Sequence, residues 1–152
     1  MSATDKFIYY GVWGTIFGYS LYYGWRLMLS IVAPGAMVLV GSVLEGREFD
    51  PIITGYFLNE ILNMVCGLFV GGFVALAIRN ILKSKSFISA MIPIVVLLGN
   101  GYWWLLAAYI DGSFYPRNFQ LLSYITGPIV VGIAFIIMYW LFVVRRPISS
   151  SR

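Results

Sequence analysis

Apolar residues fall into long runs that charged and turn-forming residues interrupt only at wide intervals. Three runs are cleanly bounded. Residues 52–78 lie between Pro51 and the pair Arg79-Asn80, residues 87–110 end before Asp111, and residues 121–144 end at Arg145-Arg146. A helix needs roughly 20 mostly apolar residues to cross about 30 Å of hydrocarbon, and each run meets that length. Backbone N–H and C=O groups in lipid must be paired within the segment, which favours helices. The apolar–polar alternation of a membrane β-barrel is absent.

The N-terminal run is longer. Between Phe7 and Leu44 the only charge is Arg26. One unbroken helix over that stretch would measure about 57 Å, well beyond the hydrocarbon core. We therefore expect a split near Gly24–Arg26. Residues 27–44 form the first span, and residues 7–26 form an aromatic, glycine-rich segment at the cytoplasmic boundary or on an extension of the helix. A tight hairpin at Gly24–Arg26 would instead give five spans and an external N-terminus. Pro34-Gly35 predicts a kink in the first span, because proline removes a backbone donor. The expected fold is a single all-α transmembrane domain, 1–152. It is a four-helix bundle with spans at about 27–44, 52–78, 87–110 and 121–144, followed by a basic tail at 145–152. The short connections predict that consecutive helices are antiparallel neighbours.

Composition agrees with the pattern. The chain is 61% hydrophobic and 11% charged, against about 25% charged in a soluble domain. Aromatic residues make up 18%, and Tyr and Trp favour the headgroup boundary. No cleavable signal peptide or lipid attachment motif is expected.

Charge predicts orientation. Lys and Arg gather on cytoplasmic loops. The split assigns Lys6, Arg26, Arg79, Lys83, Lys85, Arg145, Arg146 and Arg152 to one side. It leaves only Arg47 and Arg117 on the other, with Glu45, Glu48, Asp50 and Asp111. Both termini are therefore expected in the cytoplasm, and the cell (inner) membrane is the expected location. The net charge is +4. Its basic residues flank apolar runs, so Arg26, Arg79, Lys83, Lys85, Arg145 and Arg146 are read as contacts to lipid headgroups, not to nucleic acid.

Candidate chemistry concentrates in the second span. Asn59, Asn63, Gly67, Gly71 and Ala75 recur every four positions and make one slanted helical stripe. Small residues admit a close helix neighbour, and amides hydrogen-bond across the contact. Gly67, Gly71 and Ala75 are read as packing positions. Asn59, Glu60, Asn63 and Asn100 are read as an interhelical polar network or a polar path.

Glu60 is the only acid within a span. An isolated charge at mid-bilayer costs roughly 2.5–3.5 kcal/mol. Glu60 is thus expected to pair with a neighbouring helix, to reach the external interface, or to line an ion or proton path. Arg26 is expected at the opposite face from Glu60, snorkelling to headgroups or meeting a partner subunit. Gly99-Asn100-Gly101 reads as a packing notch or a local unwinding in the third span, and Gly127-Pro128 as a kink in the fourth. Glu45, Glu48 and Asp50 read as a solvated acidic loop.

Several chemistries lack their residues. The chain has no histidine and one cysteine, Cys66, which precludes an internal disulfide. Hydrolase, metalloprotease and phosphate-loop motifs are missing. No cofactor, metal site or enzymatic activity is expected. The expected role is a non-catalytic polytopic membrane subunit that packs with itself or with a larger membrane complex. The alternative is a small oligomeric channel or transporter with its path near Asn59, Glu60, Asn63 and Asn100.

Overall fold

The computed structural model describes residues 3–44, 50–83, 87–112 and 118–145. They form four long helices: α1 (Ala3–Leu44), α2 (Pro51–Leu82), α3 (Phe87–Ile110) and α4 (Asn118–Tyr139). A π-helical turn, Trp140–Val144, continues α4. No strand occurs among the described residues. All four helices are long and apolar enough to cross a membrane, and the chain is an all-α, multi-pass membrane protein.

The helix limits have local causes. Asp50 caps α2: its Oδ1 accepts from the Ile52 N–H at 2.8 Å, while Pro51 occupies the first turn, where a missing N–H costs nothing. Lys83 ends α2 in a left-handed conformation, φ 49°. Hydroxyl groups along α1 fold back onto their own helix. Thr15 donates to the Gly11 carbonyl at 2.8 Å and Ser20 to that of Ile16 at 2.9 Å. This satisfies them without water.

The contacts fix the directions of the helices. Tyr9 reaches the carbonyl of Ile81, and Trp25 bonds Asn63, so α1 and α2 are antiparallel. Ser89 meets Tyr139 and Tyr102 meets Ile125, so α3 and α4 are also antiparallel. Gly14 lies on Ile92 and Gly18 on Val96, making α1 and α3 parallel. Gly67 lies on Val131 and Gly71 on Phe135, making α2 and α4 parallel as well.

The α2–α4 contact is the most extensive in the molecule. Around the bundle the order is α1, α2, α4, α3. This departs from the sequence expectation in one respect: the consecutive helices α2 and α3 lie across the diagonal, not side by side. The stripe on α2 explains the choice of neighbour. An added Cβ at Gly71 would stand 3.0 Å from the Phe135 Cα, and one at Gly67 would stand 3.1 Å from the Val131 Cα. Two glycines one turn apart bring the α4 backbone closer than any larger side chain would allow.

The larger departure is α1. Residues 3–44 form one helix of 42 residues, about 63 Å long. Neither the split nor the five-span hairpin at Gly24–Arg26 occurs. Of the two placements for the aromatic stretch, the helix extension holds and the boundary segment does not: Phe17, Leu21, Tyr22 and Trp25 are buried in the core. They pack with Cys66, Ala75 and Ile78 of α2, Leu97 of α3, and Val131 and Phe135 of α4. The glycines that suggested a break are packing positions. Gly14 and Gly18 make room for Ile92 and Val96, and Gly24 makes room for Val70. The helix also runs through Pro34. Beyond Arg26 the exposure reverses, and no described residue of α1 from Leu27 to Val43 is buried.

One end of the bundle carries Lys6, Arg79, Lys83 and Arg145 and is called the basic end. The opposite end carries Asp50 and Asp111 and is called the acidic end. Glu45, Arg47, Glu48, Lys85, Arg117, Arg146 and Arg152 lie outside the described residues.

Candidate functional site

The helices part toward the acidic end and leave a cavity of about 880 Å³. Its walls come from all four helices. α1 supplies Tyr22, Arg26, Leu29 and Met37, and α2 supplies Ile52, Tyr56, Asn59 and Asn63. α3 adds Trp104 and Leu105, and α4 adds Ser123 and Tyr124. One part of the lining is polar and includes a cation. The remainder is aliphatic and aromatic.

The floor is a buried interhelical bond. Trp25 Nε1–H donates to Asn63 Oδ1 at 3.0 Å, with Asn63 only 1% exposed. Both groups would be orphaned polar atoms in an apolar interior without each other. Gly127 makes the approach feasible, since a Cβ there would stand 3.1 Å from Asn63 Nδ2 and 3.4 Å from the Trp25 ring. Beneath the pair, Leu21, Cys66, Leu97 and Val131 close the bundle with apolar side chains.

Arg26 lines this cavity. The sequence reading placed it at the cytoplasmic end as a headgroup contact, facing away from Glu60. The structure differs because α1 does not break. Residues 7–25 now lie within the bundle, which carries Arg26 about 30 Å along the helix from Lys6, to the level of Asn59 and Asn63. No carboxylate forms an ion pair with Arg26 among the described residues.

Glu60 shares that level but faces α4. The Thr126 hydroxyl donates to its Oε1 at 2.9 Å and also approaches the Leu122 carbonyl at 2.9 Å. Its Oε2 is buried without a partner among the described residues. Of the three readings for Glu60, the structure displays the interhelical hydrogen bond.

The four polar residues singled out in the sequence do not form one path. Asn59 and Asn63 line the cavity, and Glu60 lies at the α2–α4 contact. Asn100 turns back on its own helix, where Nδ2 donates to the Val96 carbonyl at 2.8 Å. The surrounding Gly99-Asn100-Gly101 stretch stays helical, and Gly101 packs on Pro128.

Sequence reasoning missed Thr126, Tyr56, Ser123 and Trp104. Each reads as an ordinary interfacial or helix-end residue until the neighbouring helices are placed. Arg79, Lys83 and Arg145 lie at the basic end. The Arg145 guanidinium lies over the Trp140 ring at 5.7 Å, where the π-helical turn re-aims the chain. Ser89 and Tyr139 share a buried hydroxyl–hydroxyl bond of 2.7 Å near this end.

The cavity has features of a binding site. The lining combines one guanidinium, two amides and several hydroxyls with a continuous apolar wall, and the chain offers no histidine to serve as a base. No known protein family, curated protein or solved structure matches the chain.

Proposed function

We propose that the chain is a non-catalytic, multi-pass membrane subunit that assembles with a second copy or a larger membrane complex through the outer half of α1. One observation carries this reading. α1 is packed on its neighbours up to Trp25, then continues as an apolar helix with no buried residue between Leu27 and Val43. Ile31 and Val38 are 70% and 73% exposed.

Lipid alone is a poor cover for this segment. Sinking about 63 Å of helix into about 30 Å of hydrocarbon requires a tilt of about 60°. Spanning helices tilt by up to about 40°, and Gly14 and Gly18 hold α1 along α3. Residues beyond the span therefore need protein against them. The channel alternative has less support, because the cavity floor is sealed by Trp25, Asn63 and the apolar core beneath.

Orientation belongs to the same proposal. Lys6, Arg79, Lys83 and Arg145 share one end, and the positive-inside tendency places that end, with both termini, in the cytoplasm. A reporter fused to the C-terminus is expected to signal cytoplasm, and an external signal overturns the orientation.

Cysteine cross-linking in native membranes tests the assembly. Cys66 is the only cysteine and is buried, so it does not compete. Val38→Cys and Val43→Cys are expected to give cross-linked species larger than one chain, whereas Phe73→Cys on the outer face of α2 is not. Single-chain mass for both α1 variants, with no cross-link, refutes the subunit reading.

A further inference from the structure

We propose that the acidic-end cavity is a binding site for an anionic membrane lipid. Its charged head is held by Arg26 and Asn59, and its chain lies along Leu29, Met37 and Leu105. Leu29 and Met37 belong to the α1 stretch that the subunit reading assigns to a partner, so the test below uses lipid retention by the chain and not its assembly.

Three observations combine. The first is charge. Arg26 is the sole charged residue lining the cavity among the described residues, and no carboxylate pairs with it. An arginine on a membrane-spanning helix needs water, a headgroup or a counter-ion. Glu60, the one acid at that level, accepts from Thr126 at the α2–α4 contact and is not among the lining residues. An anion entering the cavity would meet the guanidinium with no repelling carboxylate in the lining. The Asn59 amide, which has no side-chain hydrogen bond within the described residues, adds a donor to the same lining.

The second observation is volume. About 880 Å³ lies near the top of the range for small-molecule sites, which runs from about 300 to 1,000 Å³. A bare phosphate or carboxylate would leave most of that space empty. The third is the apolar part of the lining. Leu29, Met37, Ile52, Leu105 and Pro128 present apolar surface suited to hydrocarbon and give no polar group to a hydrophilic body. A small anionic head attached to an acyl chain satisfies all three conditions. A soluble, fully polar anion satisfies only the first.

The test uses the full chain in phosphatidylcholine bilayers doped with phosphatidylglycerol. Lipids retained per chain are read by native mass spectrometry, and inorganic phosphate alone serves as the third arm. The wild type is expected to retain phosphatidylglycerol over phosphatidylcholine and to ignore inorganic phosphate. Arg26→Gln is expected to reduce that preference by about tenfold or more, and Arg26→Lys to keep part of it, since a lysine supplies charge without the planar fork. Gly55→Leu fills the cavity from a position where an added Cβ meets nothing within 4 Å. It should lower retention of both lipids with Arg26 intact.

Equal retention of the two lipids by the wild type overturns the proposal. So does an unchanged preference in Arg26→Gln. Saturable binding of inorganic phosphate that displaces the lipid assigns the anion to a soluble source and overturns it as well. Protection of Cys66 from thiol reagents reports folding of each variant. If Arg26→Gln exposes Cys66, Gly55→Leu decides alone: lost retention supports the lipid site, and undiminished retention refutes it.

Discussion

Replacing Gly71 by leucine tests the contact on which the bundle is built. The Cβ alone would stand 3.0 Å from the Phe135 Cα and 3.4 Å from the Phe135 N and Cβ. Favourable carbon contacts begin at about 3.5–4.0 Å, and the obstructing atoms belong to backbone, which cannot rotate aside. α4 must therefore retreat by roughly 0.5–1 Å. A gap of that size forfeits a quarter to a half of each neighbouring dispersion contact. In lipid such packing is the main attraction between helices, since apolar burial gives little.

Against this stands the gain in helix propensity from removing a glycine, about 1 kcal/mol. Alanine at position 71 thus sets two comparable effects against each other and is expected to change stability by less than about 1 kcal/mol. Leucine adds three further carbons to the same collision, and overpacking of that kind costs typically 1–3 kcal/mol. The expected net loss for Gly71→Leu is about 1–3 kcal/mol, a fall in Tm of about 2–12 °C for a chain of this size.

Thermal unfolding in detergent, followed by thiol labelling of buried Cys66, measures it. Gly41→Ala is the control. An added Cβ there meets nothing within 4 Å, so that variant should melt at or slightly above the wild type. A Gly71→Leu protein that melts within about 2 °C of the wild type would show that α2 and α4 are not in backbone contact.

Other outcomes follow from the same geometry. Asn63→Leu strands the buried Trp25 Nε1–H and should cost about 1 kcal/mol. Most of that should be recovered in the Trp25→Phe, Asn63→Leu double variant, and a strictly additive double-mutant cycle refutes the bond. Thr126→Val removes the only side-chain donor to Glu60 among the described residues and should destabilise by about 0.5–1.5 kcal/mol. Glu60→Gln keeps that acceptor and replaces a carboxylate oxygen, unpartnered among the described residues, by an uncharged amide nitrogen, so it should be neutral or mildly stabilising. A loss above about 1 kcal/mol would give Glu60 a partner outside the described residues. Gly18→Leu drives into Val96 and the Pro93 carbonyl and should lower Tm by several degrees. On a surface segment the same change would raise helix propensity and leave Tm unchanged or higher.

Span number, helix class and the division into two charged ends were all readable from residue order, because each follows from a local rule. Hydrocarbon thickness fixes the length of a run such as 87–110, and charge marks where a run such as 121–144 must stop. The N-terminal helix was not readable by those rules. Counting residues against the bilayer made Gly24–Arg26 the natural break, on the premise that a spanning helix stops where the bilayer does. Gly14, Gly18 and Gly24 looked like weak points, yet each removes only a side chain, not a hydrogen bond. The space each leaves is taken by Ile92, Val96 or Val70, so tertiary contact determines what local flexibility leaves open. The same displacement moved Arg26. Its depth depends on whether the helix before it is in the bundle or on the surface, and an error of that kind shifts a charge by a full membrane width. It also hid the cavity, whose members come from four helices and acquire a common role only once α2 chooses α4, across the diagonal from α3. The stripe of Asn63, Gly67 and Gly71 announced that α2 would have a close partner. Which helix filled it depended on where another chain segment was small enough to accept it, and on α4 that place begins at Gly127.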